Sequence, residues 1–297
     1  MVKDIKIWGV RSGMIGDMIM ALPILNYAHL LYPNSYKYWV IGRRFSQAAP
    51  LFINHPMIDK IHILKSPEAL TYFDDINICK SCDIQIDITP QHPDGIPAVN
   101  CFWWNKYNLC EETFRMAGLD VDKYRKMPEV LKKPKLEPWF SIDRYDNTIA
   151  IWPFAAYGKE PGRSPSLKYV TSLIRYIMGM GYNVRLFGHP NDPKLKTEFP
   201  NYADKYQDFS YLSFFDQIKM SLGCNVCINT DSGSGWVLGA YGMRQISLLT
   251  NHAPNHTENL LSFAPENYKS NNINLFSESN CDNINQELII ESIKKLI

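Results

Sequence analysis

The stretch CINTDSGSGWVLGAYG, residues 227–242, joins a pattern typical of a buried β-strand to an acidic turn containing glycine and then to an apolar helix. Glycine lets the backbone turn sharply and approach a ligand closely. The first N–H groups of the helix, and the positive end of its dipole, point into the turn. We therefore predict an anion site, with phosphate as the expected ligand. The alternative is a plain strand–helix corner in which Asp231 and Ser232 only cap the helix. The predicted site comprises Thr230, Asp231, Ser232, Gly233, Ser234 and Gly235.

A second junction of this kind lies near the start of the chain, where the strand pattern IKIWGV leads into the turn RSGMIGD and an apolar helix. The dinucleotide fingerprint would need glycine where Arg11 stands, and the Walker sequence would need Gly-Lys-Ser/Thr at residues 16–18, which are Gly-Asp-Met. An NAD enzyme and an NTPase are therefore disfavoured. The helix N-terminus should keep Asp17 ionised, so we interpret Asp17 as a base at the mouth of a cleft.

Length and composition narrow the class of protein. The chain has 297 residues, of which 45% are hydrophobic, and this suggests two domains. Its 31 Lys and Arg residues balance 30 Asp and Glu residues, which argues against a nucleic-acid partner. We find no apolar run of the roughly 18 residues that a membrane span needs and no leader with a cleavage site. Seven cysteines, an odd number, fit a reducing compartment. We therefore expect a cytoplasmic protein.

Sequence patterns that resemble metal sites have simpler explanations. Two CxxC spacings, Cys79–Cys82 and Cys224–Cys227, each flank a strand pattern, so buried thiols are expected rather than a zinc site. Asp120 and Asp122 resemble a metal-binding D-x-D sequence, but they follow a helix that ends at Gly118, away from any strand end that faces a cleft. We expect no metal and no other cofactor.

Strand and helix patterns alternate along the whole chain, which predicts an α/β fold with parallel sheets. The pattern is interrupted between Met127 and Asn147, where prolines lie among charged residues, as in a linker. We predict a Rossmann-like domain over residues 1–145, a second over residues 146–282 and a terminal helix over residues 283–297. Doubly wound sheets bind ligands at the carboxyl ends of their strands. Both glycine turns lie at such ends, so we expect the active site between the domains.

In their order along the chain, these motifs resemble those of the heptosyltransferase-type glycosyltransferases, glycosyltransferase family nine. The family's opening R-x-x-x-x-G-D motif and the L-P in its first helix match Arg11, Gly16, Asp17 and residues 22–23. LFINHPMIDKIHIL resembles its P-hydrophobic-N-x-P-x-I-D-x-V segment, and CDIQIDIT resembles its Y-D-x-x-I-D-L strand. TDSGSGWVLGAYG is similar to its N-D-S-G-P-x-H-L-A-A-A-L-G signature. The resemblance covers most of the chain and implies the GT-B fold, two Rossmann-like domains facing across a cleft.

This chain also departs from the family pattern. Ser164 stands where the family has the tryptophan of K/R-W-P, Trp236 replaces the histidine of the signature, and Asn251 lies where the family has F-G-x-T-D-P. The phosphate turn and the base are retained, whereas these departures leave the nucleotide and the sugar open.

The resemblance implies inverting transfer of a sugar, heptose or another hexose-like unit, from a nucleotide-diphosphate sugar to a hydroxyl of a glycan or glycolipid. Synthesis of lipopolysaccharide or another surface glycan is the implied setting. Asp17 would remove the acceptor's proton. The dipoles of the glycine turn, with Lys159 and Arg163, would stabilise the departing diphosphate without a metal. Arg11 would either orient Asp17 or bind an acceptor phosphate.

Further candidates follow other predicted strands. His189 and Asp192 would contact the ribose or base of the donor, and His92 and Asp94 lie on the expected acceptor side; ordinary turns are the alternative for both pairs. A peripheral contact with the inner face of the cell membrane, without a transmembrane segment, stays open. Two other functions also stay open: a sugar-nucleotide epimerase of the same architecture, and a non-catalytic protein that binds nucleotide sugars.

Overall fold

The computed structural model describes residues 7–12, 15–64, 84–88, 109–155, 163–195, 199, 202, 204–250 and 271–297. The chain divides into two compact units, Met1–Trp139 and Phe140–Ile297. The domain boundary expected from the sequence, after residue 145, lies a few residues further along the same linker. No helix among the described residues is both long enough and apolar enough to span a bilayer.

The first unit contains a parallel sheet in the order β3-β2-β1-β4. Its strands are β1 (Ile7–Ser12), β2 (Tyr36–Ile41), β3 (Lys60–Ile63) and β4 (Ile84–Ile88). Its helices are α1 (Ile15–Leu31), α2 (Leu109–Met116), α3 (Val121–Lys126) and α4 (Glu129–Lys132), with a 3₁₀ segment at Arg43–Phe52. Because β1 lies between β2 and β4, the chain winds outward from β1 to one edge and then returns to the other side. The carboxyl end of β1 is therefore the switch point of this sheet.

Helix α1 is buried along most of its length, in agreement with its almost continuous apolar sequence. Met18, Ile19, Ile24 and Leu25 are fully buried. Two hydrogen bonds join the helix to its neighbours. Thr113 Oγ1 donates to the Met20 carbonyl oxygen at 3.2 Å, and Asn26 Nδ2 donates to the Leu131 carbonyl oxygen at 2.8 Å. Two residues separate the start of α1, at Ile15, from the carboxyl end of β1, at Ser12.

The second unit has a six-stranded parallel sheet in the order β10-β9-β8-β5-β6-β7. Its strands are β5 (Thr148–Trp152), β6 (Asn183–Leu186), β7 (Tyr206–Asp208), β8 (Val226–Thr230), β9 (Gln245–Thr250) and β10 (Asn272–Ser277). Its helices are α5 (Leu167–Gly179), α6 (Phe214–Leu222), α7 (Gly233–Ala240) and α8 (Gln286–Leu296), with a 3₁₀ turn at Cys281–Asn283. The first strand lies in the middle and the chain winds outward in both directions. This is the strand order of a doubly wound Rossmann sheet.

The two faces of this sheet differ in character. Alternate residues of its central strands enter an apolar core that α5 and the terminal helix α8 complete. The core strand positions include Ile149, Ile151, Val226, Ile228, Ile246 and Leu248. On the opposite face the strands present Asn229, Gln245 and Ser247, which are buried polar residues. The predicted α/β fold with parallel sheets is confirmed, but the polar layer on one face was not predicted.

Candidate functional site

The candidate site lies in the second unit at the switch point between β5 and β8. These strands are neighbours, with Trp152 opposite Asn229 near their carboxyl ends. From here the sheet continues through β6 and β7 on one side and through β9 and β10 on the other. Connections that leave adjacent strands in opposite directions open a crevice at the carboxyl edge of the sheet, where doubly wound proteins bind their ligands.

The turn after β8 consists of Asp231 and Ser232, followed at once by α7. Ser232 is the N-cap residue, but its side chain makes no capping hydrogen bond. Its hydroxyl instead lies 2.8 Å from that of Ser234. The capping role that was the alternative for Ser232 is therefore absent. Thr230, just before the turn, is fully buried, and its hydroxyl has no hydrogen-bond partner among the described residues.

The glycines of this turn do not have an unusual backbone conformation. Among the described residues the glycines with positive φ are Gly118, Gly181 and Gly242. Gly233 and Gly235 are not among them, so a positive φ does not explain glycine at either position. At Gly235, close approach of the backbone to Asn229 of β8 requires glycine.

Arg163, which follows β5 in the chain, is bound to the turn after β8. Its Nε donates to the Asp231 carbonyl oxygen at 3.0 Å, and its Nη2 lies 3.4 Å from Asp231 Oδ2. The two side chains are only 23% and 10% exposed. Arg163 is thus fixed to the turn after β8 and is not a solvated loop charge. The guanidinium balances the negative charge of the Asp231 carboxylate in this turn.

The backbone around Arg163 is held by side chains on both sides. Ser164 Oγ accepts a hydrogen bond from the Ala155 N–H at 2.8 Å and donates to the Ala155 carbonyl oxygen at 3.2 Å. Cys281 Sγ lies 3.5 Å from the Arg163 carbonyl oxygen, and Asp282 Oδ1 accepts from the Ser166 N–H at 2.6 Å. Ser164, one of the departures from the family pattern, therefore joins the two ends of the connection between β5 and α5.

His189 and Asp192 follow β6 and form a self-contained turn. Asp192 Oδ2 accepts from the His189 N–H at 2.6 Å, and His189 Nδ1 accepts from the Asn191 N–H at 3.0 Å. Burial raises the pKa of Asp192, while the hydrogen bond from His189 opposes this shift. A Cβ on Gly188 would lie 2.5 Å from Asp192 Oδ2. The Asp192 carboxylate therefore closes the turn, while the contact of His189 with a nucleotide stays a prediction.

Two buried amides near these loops were missed by sequence reasoning. Gln217 of α6 accepts from the Gly188 N–H at 2.8 Å and donates to the Leu212 carbonyl oxygen at 2.9 Å, so it joins the loops after β6 and β7. Asn229 of β8 lies beneath α7. In both cases an amide occupies a core position in an apolar pattern, and this mismatch is the signal that the sequence offered.

The first-unit candidates have their own switch point. Asp17 is the third residue of α1, which begins just after β1, and Arg11 lies in β1 opposite Asp87 of β4. The structure describes both at the level of the backbone. His92, Asp94, Lys159 and Asn251 lie outside the described residues.

The described members of the metal-like patterns have structural roles. Asp120 Oδ1 accepts from the Asp122 N–H at 2.9 Å and so caps α3. Burial raises the pKa of the Cys224 thiol to about 12 and that of Cys227 still further. Cys79 and Cys82 lie outside the described residues, and within the described ranges no three His, Cys, Asp or Glu residues are grouped to hold a metal ion.

No protein-family model and no curated protein sequence matches the chain. Solved structures do match it. The ADP-heptose LPS heptosyltransferase II of E. coli is 15% identical, with 98% of each chain covered and a TM-score of 0.68. A glycosyl transferase of family 9 from Veillonella parvula is 15% identical, with 100% of this chain and 98% of that chain covered and a TM-score of 0.63.

The iron-containing dodecameric glycosyltransferase TibC of E. coli is 12% identical, with 84% of this chain and 58% of that chain covered and a TM-score of 0.53. At these identities the likeness establishes the fold alone. In structure the chain resembles heptosyltransferases and a family 9 glycosyltransferase, and it has the two-domain, Rossmann-like GT-B fold predicted from its sequence.

Proposed function

We propose that the protein is an inverting glycosyltransferase that moves heptose or another hexose-like sugar from a nucleotide-diphosphate sugar to a hydroxyl of a glycan or glycolipid. The observation that carries the proposal is the Arg163–Asp231 pair at the switch point of the second sheet, in a fold shared with an enzyme named for ADP-heptose. Since fold alone does not imply function, the proposal depends on this site together with the ordered motifs.

The donor side of the reaction needs a group that stabilises the departing diphosphate. In our proposal the N–H groups at the start of α7 bind its oxygens, and Arg163 supplies positive charge beside them. The Arg163 guanidinium is already oriented by two contacts with Asp231, so little reorganisation is needed when the donor binds. Lys159, from the same connection, is proposed as a second cation, and His189 as a contact to the ribose or base.

The acceptor side needs a base for the attacking hydroxyl. Asp17 is our candidate, because the N-terminus of α1 favours its ionised form and a positioned carboxylate can remove the proton as the new bond forms. Arg11, His92 and Asp94 are proposed to contact the acceptor. We further propose that the acceptor is part of lipopolysaccharide or another surface glycan, and that the protein binds it at the inner face of the cell membrane.

We also propose that transfer needs no metal ion. Arg163 and the α7 dipole would neutralise charge that Mg²⁺ neutralises in many other phosphate-handling enzymes. The existence of an iron-containing structural neighbour makes this part of the proposal a separate question for experiment.

A donor screen tests the proposal. The protein is incubated with ADP-, GDP- and UDP-linked sugars, and with a CMP-linked sugar as a monophosphate control. Binding at about 100 times the dissociation constant should stabilise the fold by about 2.7 kcal/mol. The donor that stabilises it is then assayed with truncated surface-glycan acceptors, and proton NMR reports the anomeric configuration of the product. Release of an epimerised nucleotide sugar would favour an epimerase, and donor binding without turnover would favour a binding protein.

A further inference from the structure

A layer of amide and hydroxyl side chains lies beneath α7. Asn229 is 2% exposed and Gln245 is fully buried, and Asn229 Nδ2 donates to Gln245 Oε1. The Ser247 hydroxyl lies 3.2 Å from Asn229 Oδ1 and 3.1 Å from Asn272 Oδ1, so the layer crosses β8, β9 and β10. Buried polar groups are costly unless they are hydrogen-bonded, and apolar side chains would fill this space without that cost. The layer therefore calls for an explanation other than hydrophobic stability.

Helix α7, which lies above this layer, has a low intrinsic helix propensity. Its eight residues, GSGWVLGA, include three glycines, and glycine is the poorest helix former after proline. At Gly235 an added Cβ would lie 2.9 Å from Asn229 Oδ1 and 3.2 Å from Asn229 Cγ. The backbone of the first turn of α7 thus rests directly on the Asn229 amide, and glycine is what allows this close approach.

We infer that Asn229 is a positioning residue for the donor turn, an inference that rests on the proposed function. Gln245 and Ser247 hold its amide in one orientation, and that amide sets how far the first turn of α7 stands from β8. It thereby sets where the N–H groups of this turn point. Since hydrogen bonds weaken steeply with distance and misalignment, a small shift of the turn should weaken diphosphate binding while the domain stays folded. Asn229 itself does not touch the donor.

The contact between Gly235 and Asn229 can be tested by a double-mutant cycle. The probes are ADP, GDP, UDP and CDP, and the one that binds the wild-type protein tightest in calorimetry is carried forward. We expect Gly235→Ala to weaken its binding about tenfold or more, because the new methyl group must displace either the amide or the helix. Asn229→Ala should also weaken binding. The double variant should bind no worse than Asn229→Ala alone, because the methyl group then has room.

Controls separate this role from a general loss of structure. Gly179→Ala is the matched control: it lies in α5 of the same unit, and its Cβ would stand at an ordinary 3.7 Å from Tyr202 Oη, so affinity should not change. Ser247→Ala removes one hydrogen bond to Asn229 and should weaken binding two- to fivefold. If Asn229→Ala does not fold, then Gly235→Ala and Ser247→Ala still test the inference. Thermal unfolding of each variant reports on the fold.

The binding results distinguish a failure of this inference from a failure of the proposed function. If no nucleoside diphosphate binds the wild-type protein, the proposed function fails and the inference fails with it. If one binds, but Gly235→Ala and Ser247→Ala bind it within twofold of wild type, the inference alone is overturned. Multiplicative losses in the double variant would also overturn it, because they would show that the two residues act independently.

Discussion

Asp17 is the residue on which the proposed chemistry depends most directly. Asp17→Asn keeps the shape of the side chain and removes its basicity. We expect turnover to fall roughly 10²- to 10⁴-fold, the usual effect of losing a positioned acid or base. Nucleotide affinity should change little, since the donor phosphates are proposed to bind the turn after β8. Single-turnover kinetics and calorimetry with the donor measure the two effects separately.

A carboxylate in the first turn of another helix supplies the control for Asp17. Asp122 lies in the first turn of α3, and Asp122→Asn should leave turnover unchanged. Wild-type turnover in Asp17→Asn would eliminate the assignment as base. If Asp17→Asn unfolds, the residue serves the helix N-terminus instead.

Arg163 makes the contacts on which the donor side of the proposal depends. Arg163→Ala leaves the Asp231 carboxylate, only 10% exposed, without its guanidinium partner and next to the incoming phosphate. Hydrogen bonds to charged groups contribute about 1.5–3 kcal/mol, so we expect nucleotide affinity to fall about 10- to 100-fold. Arg163→Lys should recover little of this, because an ammonium group cannot make the two-point contact.

Two further variants test the reason for the Arg163 effect. If repulsion by an uncompensated Asp231 contributes, then adding Asp231→Asn to Arg163→Ala should restore part of the affinity. Arg125→Ala is the matched control: Arg125 Nε bonds Glu111 Oε1 at 2.8 Å in the first unit, and its loss should not change nucleotide affinity. Equal affinities in Arg163→Ala and wild type would show that the pair only supports the turn.

At the scale of elements, the turn after the 3₁₀ segment Arg43–Phe52 contacts the linker that ends the first unit. His55 Nδ1 accepts from the Met57 N–H at 3.2 Å. Burial lowers the pKa of His55 to about 4. A hydrogen bond with the Lys135 backbone and the nearby negative charge of Glu137 both raise this pKa, but they offset only part of the effect of burial. Trp139 Nε1 donates to the Pro50 carbonyl oxygen at 3.0 Å, which fastens the linker at a second point.

The lowered pKa of His55 predicts acid sensitivity. Between pH 6.5, the ordinary value for histidine, and about pH 4, the unfolded chain binds a proton at His55 that the folded chain does not. The free energy of unfolding should therefore decrease as the pH is lowered through this window, by about 3 kcal/mol at most. His55→Asn keeps an acceptor for the Met57 N–H and does not titrate, so urea unfolding from pH 7 to pH 4.5 should show a shallower decline. Equal declines in both proteins would contradict the assignment.

At the scale of the whole molecule, the proposed mechanism predicts turnover that is independent of divalent metal. We expect full activity after dialysis against EDTA, because Arg163 and the start of α7 take the role of a metal at the diphosphate. Added Mg²⁺ or Mn²⁺ should change the rate less than about twofold. Loss of turnover with EDTA, restored by one metal, would contradict metal independence. Elemental analysis of the purified protein would then identify the ion.

The sequence by itself predicted the alternation of strands and helices, the parallel sheets and the two glycine turns at strand ends. These features follow from local patterns: hydrophobic periodicity, glycine in turns and short motifs whose order along the chain is preserved. Turn residues such as Asp231 and Ser232 could be located because strand, turn and helix are contiguous. The GT-B fold was implied by the resemblance of the ordered motifs to those of glycosyltransferase family nine.

Only the tertiary structure showed which of these residues meet. Arg163 and Asp231 are 68 residues apart in the chain, and they are joined because β8 pairs with β5 on the side opposite β6. Strand order depends on how the whole chain buries its apolar faces, and no local pattern encodes that choice. For the same reason, three other contacts could not be predicted. They are the contact of Asn229 with Gly235, the hydrogen bonds of Ser164 with Ala155, and the hydrogen bond of Asp192 with the His189 N–H. Whether a polar side chain faces a ligand, a strand or its own backbone depends on three-dimensional neighbours that only the folded sheet brings together.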